Sequence, residues 1–517
     1  MGFLITLGLA LGGGMLGGLA FPHWNLWFLL FPALMCLFGA VRRCADWRHP
    51  SWGRLVIGSV WGVAFFALHL TWLTIPAASP LPWVALSVLQ ALFIGGFAVL
   101  WGAGEARWDQ HPRVLWPLRL LWGPVAWVGV EQLRSLVPWG GFPWSKLGFA
   151  MVDSPLIAWA PWGGSVAVGA VAVAVSLGAI EFFRRGKGIL RRPFSGILTV
   201  AVVVFPLVVP VSKPEATGQS LRVAIIQGNT PGRAPLTANG EPFEVMNLHV
   251  KESLRLHDSL GHHKQVDLVV WGENAADVDP RLNADASWQV NKVATAFGGA
   301  PMIFGTLGFK NKEIKNTIVY WQDGRAHGTY SKQHLVPFGE YLPWRHLVRT
   351  IAPKFSALVP RDIRPGTGVA HLRIHAGGVD TTVATPICFE IADDGLMQRA
   401  VSGASFIIIP TSNMLFGDSD QADQQLAIAR FRAIEYGLDL VQASTMDSTA
   451  RVNARGEILG KVIPTFHAGS FVTAVPLRHG FTPAAAYGSM ISLVALAVFA
   501  GMSLFIIINT VKESWNK

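Results

Sequence analysis

The chain has 517 residues, 51% of them hydrophobic and only 14% charged, with 21 tryptophans. A soluble domain carries about 25% charged residues, so this composition excludes an ordinary soluble protein and points to a polytopic membrane protein. The formal net charge of +10 does not imply nucleic acid: acidic and basic residues nearly balance in the polar block 213–481, and topology and anionic headgroups account for the excess elsewhere.

Apolar segments cluster at the two ends. Those at 3–20, 24–41, 55–75, 81–103, 114–133, 156–183, 194–211 and 485–509 approach the length that crosses a hydrocarbon core of roughly 30 Å, which predicts about eight helical spans. Gly12, Gly13, Gly14, Gly17 and Gly18 permit close helix packing in the first. Glu131 and Arg134, near the outer end of the fifth, either face a cleft between helices or position the helix end.

Arg42, Arg43, Arg48 and Arg54 follow the second span, Arg107 and Arg113 the fourth, and Arg184, Arg185, Lys187, Arg191 and Arg192 the sixth; the alternate loops 21–23 and 77–80 carry almost no basic residues. The positive-inside rule then places the Arg-rich loops and both termini in the cytoplasm and the polar block outside. With no basic n-region or clear cleavage site, the first span is expected to be retained. The expected domains are 1–212 (membrane helices), 213–481 (extracytoplasmic) and 482–517 (a last membrane helix and cytoplasmic tail).

The polar block reads as an α/β domain. Segments 221–227, 266–271, 302–307, 317–321, 381–387, 405–410 and 438–443 are apolar and β-branched, as strands are, and 287–297 and 421–436 have helical patterns. Asp323-Gly324 is a hairpin turn between 317–321 and 326–330.

Three segments of the block carry chemistry. Val269-Val270-Trp271-Gly272-Glu273-Asn274 puts an acid just past a strand, where it can serve as general base to a thiol; the ordinary reading of such an acid is a loop residue or cap. Tyr330-Ser331-Lys332-Gln333-His334-Leu335-Val336-Pro337-Phe338-Gly339-Glu340-Tyr341 brackets a turn between Lys332 and Glu340, a pair that is ordinarily solvated. Thr385-Pro386-Ile387-Cys388-Phe389-Glu390 puts a cysteine between a strand and an expected helix over 390–400, whose N-terminus would lower the thiol pKa. Cys36 lies in a span and Cys44 in a cytoplasmic loop, so Cys388 has no disulfide partner in its own domain, and a lone thiol facing outward implies a use.

Between the second and third segments, 342–365 interleaves Trp344, Leu347, Ile351, Phe355 and Leu358 with Arg345, Arg349, Lys354, Arg361 and Arg364. Apolar anchors and phosphate-seeking cations read as an interfacial arm over the active site, against the alternative of an ordinary packed loop.

Glu273, Lys332 and Cys388, in that order at strand edges, resemble the Glu–Lys–Cys triad of the nitrilase superfamily. With the spans, and with Asn413-Met414-Leu415-Phe416-Gly417-Asp418-Ser419 and the helix bearing Arg430, Arg432 and Glu435, the resemblance narrows to the apolipoprotein N-acyltransferases and covers essentially the whole chain. It implies an αββα sandwich carried on a membrane bundle, in a bacterial cytoplasmic membrane. It also implies transfer of an acyl chain from a glycerophospholipid, through a thioester on Cys388, to the α-amino group of a diacylglyceryl-cysteine apolipoprotein.

On that resemblance Glu273 is the base, Lys332 and the backbone N–H of Phe389 stabilise the oxyanion, and Glu340 and Glu390 support them. Tyr341, Trp344, Asn413, Leu415 and Phe416 are the implied substrate contacts. No cofactor or metal is expected, His334 reads as structural, and whether a partner enzyme joins at the cytoplasmic face is open. Two positions depart from the family pattern: Phe389, where Tyr is frequent, and Leu415, where Trp is common. A membrane-tethered amidase or nitrilase using the same triad with water as acceptor is the alternative enzyme, and a catalytically dead scaffold or transporter the alternative class.

Overall fold

The computed structural model describes residues 2–76, 78–110, 116–183, 191–231, 241–261, 265–310, 313–357 and 359–515. Residues 77, 113, 184, 185, 187 and 358, on which the loop-charge and arm expectations partly rest, lie outside these. The chain divides into two compact units, one of Met1–Thr74, Ser79–Val211 and Tyr487–Lys517, the other of Ile75–Ala78 and Ser212–Ala486.

The first unit is a helical bundle, and the described residues of each expected apolar segment in it are largely helical. Gly2–Leu19, Trp27–Asp46, Pro50–His69, Leu81–Arg107, Pro155–Phe183 and Pro483–Thr510 are long and apolar enough to cross a membrane, while Ser195–Val208 is apolar but shorter. The fifth segment, Trp116–Arg134, carries Pro124 and the charged Arg119, Glu131 and Arg134, which lowers its apolarity. In the first helix a Cβ on Gly14 would stand 2.3 Å from the Trp61 carbonyl oxygen, so that helix contact requires glycine; Gly12, expected to do the same, faces open space.

Glu131 and Arg134 act at their helix end. Arg134 donates to the carbonyls of Phe142, Trp144 and Ser145, each at 2.9 Å, and Glu131 accepts the Leu147 N–H at 2.9 Å. Together they fasten the segment that follows the helix.

The second unit is the expected αββα sandwich. Its strands are β1 (Glu215–Gln227), β2 (Leu268–Trp271), β3 (Met302–Lys310), β4 (Glu313–Gln322), β5 (Arg325–Ser331), β6 (His371–Ala376), β7 (Val379–Ala384), β8 (Phe406–Thr411), β9 (Leu440–Ser444), β10 (Thr449–Val452), β11 (Ile458–Ile463) and β12 (Gly469–His479). They form two six-stranded sheets, ordered β12-β1-β2-β3-β4-β5 and β11-β10-β9-β8-β7-β6. At the centre of each, β1, β2 and β3, and β7, β8 and β9, run parallel. Among these, β2 and β8 are buried along their whole length and read as apolar runs, Leu268-Val269-Val270-Trp271 and Phe406-Ile407-Ile408-Ile409.

Helices Glu244–Leu260 and Ala284–Ala296 cover one sheet, packing Met246, Val250, Val290 and Val293 against Ala224, Val269, Trp271 and Phe304. The sheets are tied across their inner faces by Thr449 Oγ1, which donates to Gln227 Oε1 at 2.6 Å. The β4–β5 hairpin turns at Asp323 and Gly324, both with positive φ, as a two-residue loop of the mirror-image type requires. The expected helix over 390–400 is interrupted: a short 3₁₀ turn, Cys388–Ala392, ends at Asp393, whose side chain caps the helix Asp394–Val401 by accepting the Leu396 N–H at 2.9 Å.

Candidate active site

Parallel strands deliver their C-terminal ends to one edge of each sheet, where ligands of open α/β sheets bind. Glu273 lies two residues past β2, Cys388 four past β7, Asn413 two past β8 and Asp447 three past β9. Lys332 directly follows β5, and Asn316 lies within β4.

Close approach at two glycines sets the Glu273 backbone. A Cβ on Gly272 would meet the Thr445 nitrogen at 2.4 Å, and one on Gly305 would meet the Glu273 Cα at 2.7 Å. Thr445 Oγ1 donates to the Glu273 carbonyl at 2.5 Å, and Gly305 N–H to the Gly272 carbonyl at 3.0 Å. The carboxyl group is thereby aimed inward and buried, 3% exposed.

Lys332, 2% exposed, places Nζ 3.3 Å from Glu273 Oε1 and 3.0 Å from Glu340. Asn316 Nδ2 bridges the same two acids, donating to Glu273 Oε1 at 2.6 Å and Glu340 Oε1 at 3.2 Å. The other oxygen of Glu340 accepts the Val336 N–H at 2.8 Å, closing the turn after Lys332. This is a buried charge cluster, not the solvated pair that Lys332 and Glu340 would ordinarily form. Glu273 Oε2 is buried without a protein partner, leaving one oxygen of the acid available to a proton.

Cys388 sits at φ +50°, a left-handed conformation that costs a non-glycine residue about 1–2 kcal/mol. Such an outlier persists only where its surroundings determine it, and it presents the side chain on a tight turn. Glu390 supplies much of that determination. Its carboxylate accepts the N–H groups of Ile387 at 2.8 Å, Gln333 at 2.6 Å and His334 at 3.1 Å, and the Tyr330 hydroxyl at 2.8 Å. Arg432, fully buried, donates to the carbonyls of Ile391 at 2.8 Å and Ala392 at 3.1 Å and to Asp394 at 2.8 Å, holding the far end of the turn.

The thiol donates to Asn413 Oδ1 at 3.4 Å. Asn413 is itself fixed, donating its N–H to Asp447 at 2.5 Å and its Nδ2 to Gln425 at 2.5 Å.

Charge follows from burial. Desolvation raises the Glu273 pKa, with the Lys332 cation opposing and the Glu340 charge adding. Burial alone would lower Lys332, but Glu273 and Glu340 outweigh it and hold the ammonium well above its usual range. The Cys388 thiol is pushed up to about 12 by burial and by Glu273, with Lys332 opposing. The lowering expected from a helix N-terminus does not occur, because a single 3₁₀ turn supplies little dipole against full desolvation.

The other expected residues are dispersed. Phe389 is buried beside His334, ring to ring at 5.2 Å, and His334 Nδ1 lies 2.9 Å from Asp393. Leu415 and Phe416 lie on the short turn after Asn413, with Leu415 37% exposed. Tyr341 is half-buried and Trp344 is 68% exposed at the start of the arm helix. Among the described residues no cluster of three or more His, Cys, Asp or Glu could hold a metal.

Sequence reasoning missed Asn316, Tyr330, Thr445 and Asp447. No local signal marked Asn316, which lies inside β4, while Asp447 is an acid just past β9, the same placement that singled out Glu273.

A family model described as the apolipoprotein N-acyltransferase N-terminal domain matches residues 13–178. An apolipoprotein N-acyltransferase of Mycolicibacterium smegmatis is 32% identical, over 97% of this chain and 84% of the relative. Another, of Shewanella oneidensis, is 29% identical over 90% of this chain and 88% of the relative. Among solved structures, XC1258 of Xanthomonas campestris, a CN-hydrolase superfamily protein, aligns at TM-score 0.37 and 15% identity, over 55% of this chain and 96% of its own. With a relative above 30% identity aligned over nearly the whole of this chain, the chain belongs to the apolipoprotein N-acyltransferase family.

Proposed function

We propose that this protein transfers an acyl chain from a membrane glycerophospholipid to the α-amino group of a diacylglyceryl-cysteine apolipoprotein, by way of a thioester on Cys388. The observation that carries this reading is the buried cluster in which one ammonium, Lys332, contacts two carboxyl groups, Glu273 and Glu340, beside a cysteine held on a left-handed turn.

A thiol raised to about 12 is neutral at rest, so its activation is a proton transfer and not a standing thiolate. Glu273, its own pKa raised, is a stronger base than an ordinary carboxylate and is matched to that transfer. The proton passes to Glu273 as sulfur attacks the ester carbonyl. Lys332 and the Phe389 N–H stabilise the tetrahedral oxyanion. The C–O bond breaks, the lysophospholipid alkoxide takes the proton from Glu273, and the acyl group stays on sulfur.

In the second half the apolipoprotein amine attacks the thioester and gives a proton to Glu273. The C–S bond breaks, and the departing thiolate recovers that proton. The sum is phospholipid plus amine giving lysophospholipid plus amide, with the enzyme unchanged and no cofactor or metal in any step.

Glu340 orients Lys332, Glu390 and Asn413 position the Cys388 turn, and Tyr341, Trp344, Leu415 and Phe416 supply apolar contact to lipid. In this reading 213–481 is the catalytic domain on the outer face of a bacterial cytoplasmic membrane, anchored by 1–212 and 482–517 with both termini inside.

The test is purified full-length protein given phospholipid and a diacylglyceryl peptide. Amide formation, with an acyl adduct on Cys388 in the mass spectrum, supports the reading. Hydrolysis of small amides without transfer would identify an amidase instead.

A further inference from the structure

We propose that Gln421 and Gln425 are positioning residues for the Cys388 thiol: they hold the Asn413 amide with its carbonyl oxygen toward sulfur, and so set where the thiol proton rests. The inference rests on the reading of Cys388 as the nucleophile and names the residues that govern its proton.

Both glutamines lie near the start of the helix Gln421–Tyr436, one turn apart on the same face, and both are buried, at 4% and 0% exposure. An amide out of water needs partners, and theirs converge on Asn413. Asn413 Nδ2 donates to Gln425 Oε1 at 2.5 Å, and Gln421 Nε2 donates to Asn413 Oδ1 at 3.1 Å and to Gln425 Oε1 at 3.2 Å. Gln425 Nε2 in turn donates to Thr411 Oγ1, at the end of β8, at 2.8 Å. Asp447 holds the Asn413 backbone through its N–H at 2.5 Å.

This network has a polarity. Reversing the Asn413 amide alone would set Nδ2 against the Gln421 N–H and Oδ1 against Gln425 Oε1, donor on donor and acceptor on acceptor. The carbonyl therefore faces sulfur, where it accepts the thiol hydrogen at 3.4 Å. An acceptor at that place favours the neutral thiol, whereas an N–H there would favour the thiolate.

The thiol hydrogen is thus directed at Asn413 and not at Glu273, whose Oε2 is buried without a protein partner. Burial and the Glu273 charge raise the thiol pKa, and Lys332, the Thr411 side chain and the Ser412 N–H oppose them. Sulfur therefore already has donors suited to a thiolate, and the Asn413 carbonyl is the acceptor set against them. In turnover the proton leaves Asn413 for Glu273 as sulfur attacks the ester, and it returns to Asn413 once the thioester has opened. The glutamines act through Asn413 at both moments.

The experiment follows the ultraviolet absorbance of the Cys388 thiolate against pH in purified full-length protein. Each protein is read against the same protein carrying Cys388→Ala, so that Cys36, Cys44 and the tyrosines cancel. The wild-type protein should show almost no thiolate at about pH 9. Gln425→Met removes the acceptor that orients Asn413, so roughly tenfold more thiolate is expected at a given alkaline pH. Gln425→Glu keeps an oxygen facing Asn413 Nδ2 and should show no earlier onset than the wild type.

A wild-type titration in Gln425→Met with an unchanged thermal midpoint overturns the proposal. An equal shift in Gln425→Glu overturns it too, because that reports loosened packing and not the orientation of an amide. Where Gln425→Met does not fold, Gln421→Met is read in its place. It removes the other group that rejects a reversed Asn413, so thiolate should again appear earlier, and an unchanged titration overturns the assignment. No acyl donor enters these measurements. Absence of any thioester from phospholipid in the wild-type protein overturns the proposed function but leaves the titrations standing, whereas normal thioester formation beside unshifted titrations overturns the role of the glutamines alone.

Discussion

Glu390 accepts the backbone N–H of Gln333 at 2.6 Å, which ties the turn bearing Cys388 to the strand end bearing Lys332 across 57 residues of sequence. The same carboxylate accepts from Ile387 at 2.8 Å, on the other side of the thiol. One buried side chain therefore sets the spacing between the Cys388 thiol and the Lys332 ammonium.

Glu390→Gln tests this link. The amide keeps the shape but turns two of its own N–H donors toward a ring of donors, leaving buried groups unpaired at a cost of about 1–3 kcal/mol. The expected outcome is a lower thermal midpoint together with slower thioester formation, while half-saturation by phospholipid stays near the wild-type value. A variant with lowered stability but wild-type thioester kinetics would confine Glu390 to the fold.

Removal of the Cys388 thiol gives the sharpest test of the proposed mechanism. Cys388→Ala should abolish both the acyl adduct and the product, and normal acylated lipoprotein from that variant would overturn the scheme. Glu273→Gln preserves the hydrogen bond from Asn316 and removes the base, so thioester formation should slow by roughly 10²–10⁴-fold. Burst-phase mass spectrometry of Cys388 separates this half-reaction from aminolysis.

The acid limb of thioester formation should report Glu273. Its raised pKa means that the basic form is lost as pH falls through a value above the ordinary 4.5 for Glu. The limb should therefore lie on the neutral side of that figure and flatten in Glu273→Gln. With the thiol near 12, no inflection is expected where a free thiol ionises, about 8.5. Measuring the first half-reaction alone keeps the acceptor amine out of the profile.

Much of the fold was legible because parallel central strands, buried on both faces, must be apolar throughout. β2 and β8 stand out for that reason, and the helix Gln421–Tyr436 matches its expected limits. Of the edge strands only β5 was read, through its Asp323-Gly324 turn. β11 is largely exposed, and β12 is mostly half-buried, paired on one side only, to β1, so neither carries a continuous apolar signal. In the site, positions just past strand ends were readable in one dimension. Asn316 was not, since its role depends on β4 lying beside β3 and facing Glu340 from another loop, which no local pattern encodes. The thiol pKa was misjudged because burial is a property of the packed turn and not of its sequence.

Asn316→Leu probes that unread position. The amide bridges Glu273 and Glu340 at 2.6 and 3.2 Å, so an apolar replacement leaves two acids facing Lys332 without their second donor. Thioester formation should fall by roughly 10–100-fold, the loss of about one charged hydrogen bond. The acid limb of its profile should move to higher pH, because a hydrogen bond that favours the ionised Glu273 is gone. Restoration of the wild-type limb by Asn316→Gln would separate the bridge from packing.

Asp447 sets the last expectation. Fully buried, it holds the Asn413 N–H at 2.5 Å, while its Oδ1 has no protein partner. Burial, opposed by that N–H and the Ser444 hydroxyl, raises its pKa from 3.8 to about 7, with Glu273 adding. The unfolded chain releases this proton near 3.8 and the folded chain near 7, so in between the folded state binds more protons. Stability from this group is therefore present below about pH 4 and lost progressively as pH rises toward 7, by a few kcal/mol at most. Asp447→Asn removes the titration but can keep an oxygen for Asn413. Its thermal midpoint, set against the wild-type value, should improve steadily from about pH 4 to 7 and then level off. A difference independent of pH would show that Asp447 is ionised throughout, and that its charge is met by a partner the fold does not supply.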